Sequence, residues 1–378
     1  MNENEFTGTI AGRVRWVYNR RYCFFRANPL PFEIKVSIRL RRRFRSAVMG
    51  LCRLDGMMHQ LSDREREIMT KLFMIKEAIY SSSIDSDSPS VDELLWPRGL
   101  NEQKGRSVRD VQNYIESLRY ASMCGAGSKI TSFTITELHK RLLDTEEGRN
   151  LSPGELRVEQ NFIGKKWDTL ETARFVPADP MSLPGLMENL MKYINTSFDD
   201  PLYKMALAHY QFEIIHPLRD GNGRMGRLLA STMMFSEGMM MHSAIPISEY
   251  LFEHKEEYLD ALFNVSAKDD FDSWFSLFLD AVSIQAERSV RMIKNVLTLR
   301  NRLLKDENIV SRRIVIESLF ENPYITVSDV MERTGLTRPG ALKQISAMIR
   351  DGILEEVSGR QRGRVYLASA IRKAAFGK

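Results

Sequence analysis

One segment limits the fold more than any other: PLYKMALAHYQFEIIHPL, residues 201–218. A proline at the first helical position fixes φ and gives up only an amide that the helix would leave free anyway. Apolar residues then recur on nearly every side, so this helix has no face to turn to water and belongs at the centre of a domain. Pro217 stops it, because the ring cannot continue the hydrogen-bond ladder. Such a helix needs others around it, and the neighbouring sequence supplies them. Residues 61–80 open with Ser62 and Asp63 as caps and set Ile68, Leu72, Ile75 and Ile79 at helical spacing. Residues 107–122, 134–144, 271–285 and 290–304 repeat that period. Strand character is confined to two stretches, 161–177 and 353–368, each read as a hairpin around a polar turn. The alternating VRWVYNRRYCFFR near the start fits a strand or a partner surface.

Immediately after the central helix comes HPLRDGNGRMGR, residues 216–227. Gly221 and Gly223 permit a tight turn whose backbone amides can converge. The apolar run RLLASTMMF follows at once as a new helix, so the turn lies at a helix N-terminus, where free amides and the positive dipole end favour an anion. Arg224 and Arg227, three apart, reach the same side of that anion and suit phosphate oxygens. Asp220 offers the oxygen ligand that magnesium takes beside phosphates. His216 has the chemistry of a general base near neutral pH.

HPLRDGNGRMGR resembles the active-site motif of Fic proteins, written HPFx(D/E)GNGRxxR, with Leu218 in place of the usual phenylalanine. The resemblance runs from about residue 78 to 279. AHYQFEIIHPL looks like the helix leading to the motif, FIGKKW and ARFVPAD like the flap, and PISEYLFEHKEEYLDAL like the helix bordering the nucleotide. It implies a mainly α chain: a Fic-type helical bundle with a β-hairpin flap, joined to a small α+β winged helix-turn-helix domain. It also implies an enzyme that moves AMP from ATP, with Mg2+, onto a Tyr, Thr or Ser hydroxyl of a protein, its own included, releasing pyrophosphate. His216 would take the hydroxyl proton and Asp220 would hold magnesium. Gly221, Asn222, Gly223, Arg224, Gly226 and Arg227 would bind the nucleotide, with Arg227 on the γ-phosphate. Phe162, Ile163, Gly164, Arg174 and Phe175 would form the flap that docks the target as an added strand. Tyr258 matches the first of two family tyrosines near the adenine, while Leu259 replaces the second and Lys255 stands where arginine is common.

Many relatives carry an inhibitory helix, (S/T)xxxE(G/N), whose glutamate pairs with the last motif arginine. Residues 81–86 read SSSIDS, placing Ser81 and Asp85 at the two key positions. Aspartate is one methylene shorter than glutamate, so a strained or water-mediated contact with Arg227 and a weakened self-inhibition are expected.

After a linker at 305–309, residues 311–368 have the order helix, helix, turn, helix, hairpin. Gly335 falls at the turn and Thr337 at a cap, as in a helix-turn-helix. This looks like a winged helix domain. From Thr337 onward nine Lys and Arg face three Asp and Glu, which suits DNA. Arg338, Lys343 and Gln344 lie on the recognition helix and Arg360, Arg362 and Arg364 on the wing; a purely protein-binding or dimerising role stays open. The expected division is 1–104, a helical region with a degenerate inhibitory helix around 78–86; 105–305, catalytic; and 306–378, winged helix.

Composition narrows the rest. The chain of 378 residues, 43% apolar and 27% charged, is that of a globular protein with room for two or three domains. Its net charge of +5 is concentrated in RLRRRFR (39–45) and GRQRGR (359–364), which fit an anionic partner or a solvated face. Three scattered cysteines give neither a metal spacing nor a disulfide framework, which fits a reducing, cytoplasmic compartment. MNENEF lacks the basic-then-apolar pattern of a signal peptide, and no apolar run of about 18 residues is present, so no membrane span is expected. Two other function classes remain: a DNA-binding regulator whose Fic body senses nucleotide, and a Fic transferase using another nucleotide or phosphocholine as donor. A homodimer is open on either.

Overall fold

The central helix is α7, Pro201–Ile215, and from Lys204 onward every residue in it is buried. The structure, a computed structural model, describes residues 1–17, 21–86, 88–97, 105–165, 167–241 and 245–377. Around α7 stand α6 (Leu183–Thr196), α8 (Asn222–Ser236) and α11 (Phe271–Leu304), with α4 (Arg106–Ser122) packed on α8. Trp274 of α11 is fully buried and donates its indole N–H to the Ala206 carbonyl of α7 at 3.0 Å, which satisfies its one polar atom inside the core. The expected helices at 271–285 and 290–304 are one continuous helix of 34 residues. Along it lies α1 (Ile38–His59), and at Gly50 a Cβ would come within 3.2 Å of the Ala286 Cβ, so glycine allows the close approach.

α2 (Asp63–Asp85) begins at Ser62 in a capping box with Glu65, as its sequence implied, and runs on to the inhibitory position. The short α3 (Val91–Leu95) follows. α5 (Ser132–Leu142), α9 (Ile247–Glu253) and α10 (Lys255–Lys268) complete the helical body.

The N-terminal stretch with no clear reading is a hairpin. β1 (Gly12–Val17) and β2 (Tyr22–Ala27) pair antiparallel, with Val14 opposite Phe25. Phe25 is buried against Phe175, ring centroids 5.5 Å apart, and its N–H donates to the Val176 carbonyl at 2.8 Å. This hairpin therefore props the base of the flap. The flap itself is barely a hairpin: among its described residues one antiparallel bridge, Ile163 with Phe175, joins its two sides.

The C-terminal unit comprises α12 (Val310–Leu319), β3 (Tyr324–Thr326), α13 (Val327–Thr334), α14 (Arg338–Arg350), β4 (Glu355–Glu356), β5 (Val365–Leu367) and α15 (Ser369–Phe376). Its sheet has the order β3-β5-β4. Gly335 ends α13 at φ 70°, the left-handed cap that a tight turn between two helices requires. Thr337 stands at the N-cap of α14, but its side chain makes no capping bond. The unit sits on α2 and α3: Arg372 grips Asp92 with two bonds of 3.0 Å, and Asn322 donates to the Leu95 carbonyl at 2.9 Å. α11 ends at Leu304 and α12 begins at Val310, on either side of the expected linker, whereas the expected boundary at 104 lies outside the described residues. Among the described residues no helix is long and apolar enough to cross a membrane, and the three cysteines are unpaired.

Candidate active site

α7 ends at His216, which adopts the left-handed conformation with φ 49° and ψ 57°. That region is uncommon for a side chain with a Cβ, although histidine tolerates it better than most. Nδ1 lies 3.2 Å from the Glu213 carbonyl oxygen. A carbonyl can only accept, so Nδ1 carries the proton and Nε2 keeps its lone pair. Dense protein surroundings lower the His216 pKa to about 4, so the imidazole is neutral at physiological pH.

Leu218 is buried. The Asn222 side chain accepts from the Leu218 N–H at 2.8 Å and donates to the Leu218 carbonyl at 2.8 Å, locking the loop into a ring. Its amide group is thereby occupied, and only its backbone N–H is left for an anion. Gly221 turns the chain at φ 73° into α8, whose first turn has no side-chain cap. The amides of residues 222–224 then lack an intrahelical partner and sit at the positive end of the dipole. Arg224 reaches Asp220 only loosely, at 3.5 Å, and the Asp220 carboxylate is 44% exposed.

The expected contact between Asp85 and Arg227 is present. Arg227, fully buried, donates Nε to the Ser81 Oγ at 2.8 Å and Nη2 to the Ser81 carbonyl at 2.8 Å and to the Asp85 carboxylate at 2.7 Å. A strained or water-mediated contact was expected from the shorter side chain. The contact is direct, because the last turn of α2 lies close enough for aspartate to reach. Burial opposes the charge on Arg227, but Asp85 together with Tyr258, Glu213 and Tyr114 outweighs it and holds the guanidinium more firmly protonated than usual. A Cβ on Gly223 would lie 2.9 and 3.0 Å from the two Asp85 oxygens, so this carboxylate rests against the first turn of α8. Asp85 thus lies between Arg227 and the first turn of α8.

Two expected nucleotide contacts have other tasks. Gly226 is buried, and a Cβ there would come within 2.3 Å of the Glu213 Oε1; it is a packing glycine beneath the site. Tyr258 is 1% exposed, and its hydroxyl lies 2.9 Å from the His209 Nε2. It supports the floor of the site and does not face an incoming ligand. Leu259, in place of the second tyrosine, is exposed. Glu213 and Glu77 complete the floor, and burial raises both carboxyls to about 7. Glu77 is anchored on α9 by the Ser248 N–H at 3.0 Å, while the Glu213 Oε1 is buried with no hydrogen-bond partner.

Two supporting residues escaped sequence reading. His139, fully buried on α5, accepts the Gly154 N–H at Nδ1 (2.8 Å), so Nε2–H donates to the Asp220 carbonyl at 3.1 Å and fixes the loop. Burial lowers its pKa to about 4. Arg157 donates Nε to the His216 carbonyl at 2.8 Å. In sequence the one reads as a core histidine and the other as a lone charge before the flap, and no local pattern marks either.

In the flap, Arg174 binds Asp260 at 2.6 Å and covers the Phe263 ring of α10 at 4.3 Å. Phe175 is buried in the core, Phe162 is half-buried on a satellite cluster, and Ile163 makes the bridge, with Gly164 exposed beside it. On the C-terminal unit, Arg338, Lys343, Arg360, Arg362 and Arg364 are exposed. Gln344 departs from this set: its Oε1 accepts from Ser311 of α12 at 3.0 Å, turning it toward the domain interior. Among the described residues no group of three or more His, Cys, Asp or Glu could hold a metal ion.

A helical body closing an amide-lined loop between two helices, with a flap beside it and a winged helix behind, defines the class of domain. Residues 129–234 match the family model described as Fic/DOC family, residues 41–123 its N-terminal companion, and residues 310–355 a winged helix-turn-helix DNA-binding model. The chain carries a Fic/DOC family domain with its N-terminal companion and a winged helix domain. Curated relatives include the protein adenylyltransferase fic-1 of Caenorhabditis elegans, 30% identical over 35% of this chain and 26% of its own. The protein adenylyltransferase Fic of Drosophila willistoni is 36% identical over 29% of this chain and 20% of its own. The chain thus spans about a quarter of the length of these relatives. Among solved structures, a Fic family protein from Desulfovibrio desulfuricans G20 superposes with a TM-score of 0.58 at 18% identity, covering 89% of this chain and 97% of that one. C. elegans Fic-1 gives 0.52 at 21% identity, over 66% and 71%. These likenesses are of fold.

Proposed function

We propose that the chain transfers AMP from ATP to a hydroxyl of a protein, itself included, releasing pyrophosphate, and that Asp85 partly restrains it. The observation that carries this reading is one juxtaposition. A histidine with its Nε2 lone pair free lies at the mouth of an amide-lined loop, and the loop's last arginine is held by a carboxylate. Nucleotide sensing would need the anion site but no base. The free first-turn amides and Arg224 would bind phosphate oxygens, and Arg227, once released from Asp85, would bind the γ-phosphate. His216 Nε2 would accept the hydroxyl proton as the hydroxyl oxygen attacks the α-phosphorus and pyrophosphate leaves. Most of the rate enhancement then comes from positioning and charge placed in advance. Magnesium fits Asp220, whose exposed carboxylate has only the loose Arg224 contact, because this ion is commonly held by one or two carboxylates plus substrate phosphates. When bound, it would neutralise charge on the phosphates. The flap edge at Ile163 would receive the target's backbone. Through α14 and the wing arginines the C-terminal unit would contact DNA phosphates, with affinity falling as salt rises.

The test is incubation with Mg2+ and ATP labelled at the α-phosphate, beside His216→Ala. Label on the wild type alone supports the reading. Equal label on both proteins overturns it.

A further inference from the structure

Arg157 is a buried cation with no buried anion beside it among the described residues. It is 5% exposed, and its side-chain acceptors are main-chain carbonyls: His216 at 2.8 Å from Nε, Glu159 at 2.9 Å from Nη1, Ala178 from Nη2, and Ile215 at 3.5 Å. Its own N–H donates to the Pro217 carbonyl at 2.9 Å. Burial lowers its pKa to about 10, only partly offset by Asp179. Removing a guanidinium from water to meet neutral groups alone is costly, and packing needs of that kind are met more cheaply by apolar side chains.

The acceptors explain the location. Ile215 and His216 end α7, Glu159 precedes the flap and Ala178 follows it. One planar fork with fixed donor directions therefore joins three separate backbone segments. It also grips the carbonyl of the one non-glycine motif residue that adopts a left-handed conformation, where the backbone would otherwise relax.

We propose that Arg157 is a positioning residue that holds His216 in its left-handed conformation and ties it to both flanks of the flap, so that target docking and base orientation share one side chain. This rests on the AMP-transfer reading of the site. The same charge acts on the imidazole. Burial is the largest influence lowering the His216 pKa and Arg157 adds to it, while the Glu213 carbonyl, Asp85 and Asp220 act in the opposite direction. Arg157 does not touch the amides of residues 222–224 or Arg227, so nucleotide binding should not depend on it.

The experiment compares Arg157→Met and Arg157→Lys with the wild-type chain in three measurements: His216 titration by NMR, equilibrium ATP binding, and AMP-transfer kinetics. For Arg157→Met we expect His216 to titrate at higher pH, ATP affinity to stay within about twofold, and kcat to fall about a hundredfold, the size typical of a misplaced group. Arg157→Lys keeps the charge without the fork, and we expect the His216 titration to stay near wild type while kcat falls about tenfold. An unmoved His216 titration in Arg157→Met overturns the proposal, as does a parallel loss of ATP binding and kcat in both variants. If the wild type transfers no AMP, the activity reading fails, while the His216 titration still decides the role of Arg157.

Discussion

Glu213 shows how one residue can be held against its own preference. Its carboxyl is pushed up to about 7 by burial, and one of its oxygens has no hydrogen-bond partner. The folded state therefore binds a proton that the unfolded chain releases near the ordinary carboxyl pKa. The stability this gives is complete below pH 4.5 and is lost as pH rises through about 7. We expect Glu213→Gln to be nearly neutral at pH 5 and to stabilise by roughly 2–4 kcal/mol at pH 8, read by urea unfolding. Equal effects at the two pH values would contradict it. The sign is opposite at His216: with its pKa lowered to about 4, it favours the folded state above 6.5, and this is lost as pH falls toward 4. An NMR titration should find the ring neutral down to about pH 4, and a midpoint near 6.5 would show it to be exposed. At this scale the sequence was legible where chemistry and spacing coincide: His216, Asp220, Gly221 and Arg227 stand where the motif put them. It was illegible where a residue acts through folded contacts. Nothing local distinguishes Gly226, which makes room for Glu213, from Gly221, which turns the backbone. Asn222 spends its side chain on Leu218, a partner visible only once the loop is closed.

Among the elements, α8 is the most constrained. It must offer free amides at its start and lie against α7 at Gly226, where Glu213 leaves no space for a methyl group. Gly226→Ala should destabilise by about 1–3 kcal/mol, the usual cost of overpacking, measured by urea unfolding with an unchanged slope. Stability equal to wild type would show that Glu213 can move aside. α2 and α7 could be read from their caps and apolar period because those signals are local. The flap could not: its expected hairpin is a single bridge, held by Phe175 in the core and Arg174 on α10 rather than by a ladder. β1 and β2 were missed as a pair because the positive charges of their outer faces, Arg13 opposite Arg26, mask the half-buried Val14 and the buried Phe25.

Across the whole molecule, the winged helix grips the chain on both sides of Asp85. Arg300 bridges Glu65 of α2 and Glu317 of α12, and Arg64 of α2 binds Glu321. Beyond Asp85, Arg372 holds Asp92, and Trp96 packs on Tyr324 with ring centroids 5.3 Å apart. α2 is thus fixed near its start by the same unit that fixes α3 after its end. Arg372→Ala should loosen that hold and raise ATP affinity about two- to fivefold, a coupling of the usual allosteric size. Unchanged affinity would separate the winged helix from the restraint. None of these pairs could be read from sequence, since each joins residues more than two hundred positions apart or on different domains.

The most direct test compares the wild type, Asp85→Ala and Asp85→Ala/His216→Ala in a single series with α-labelled ATP and Mg2+. With Asp85 gone, Arg227 is free for the γ-phosphate, and we expect label incorporation to rise about tenfold or more, then vanish in the double variant. Incorporation unchanged by Asp85→Ala, or surviving the loss of His216, would contradict a transfer site held closed by this aspartate.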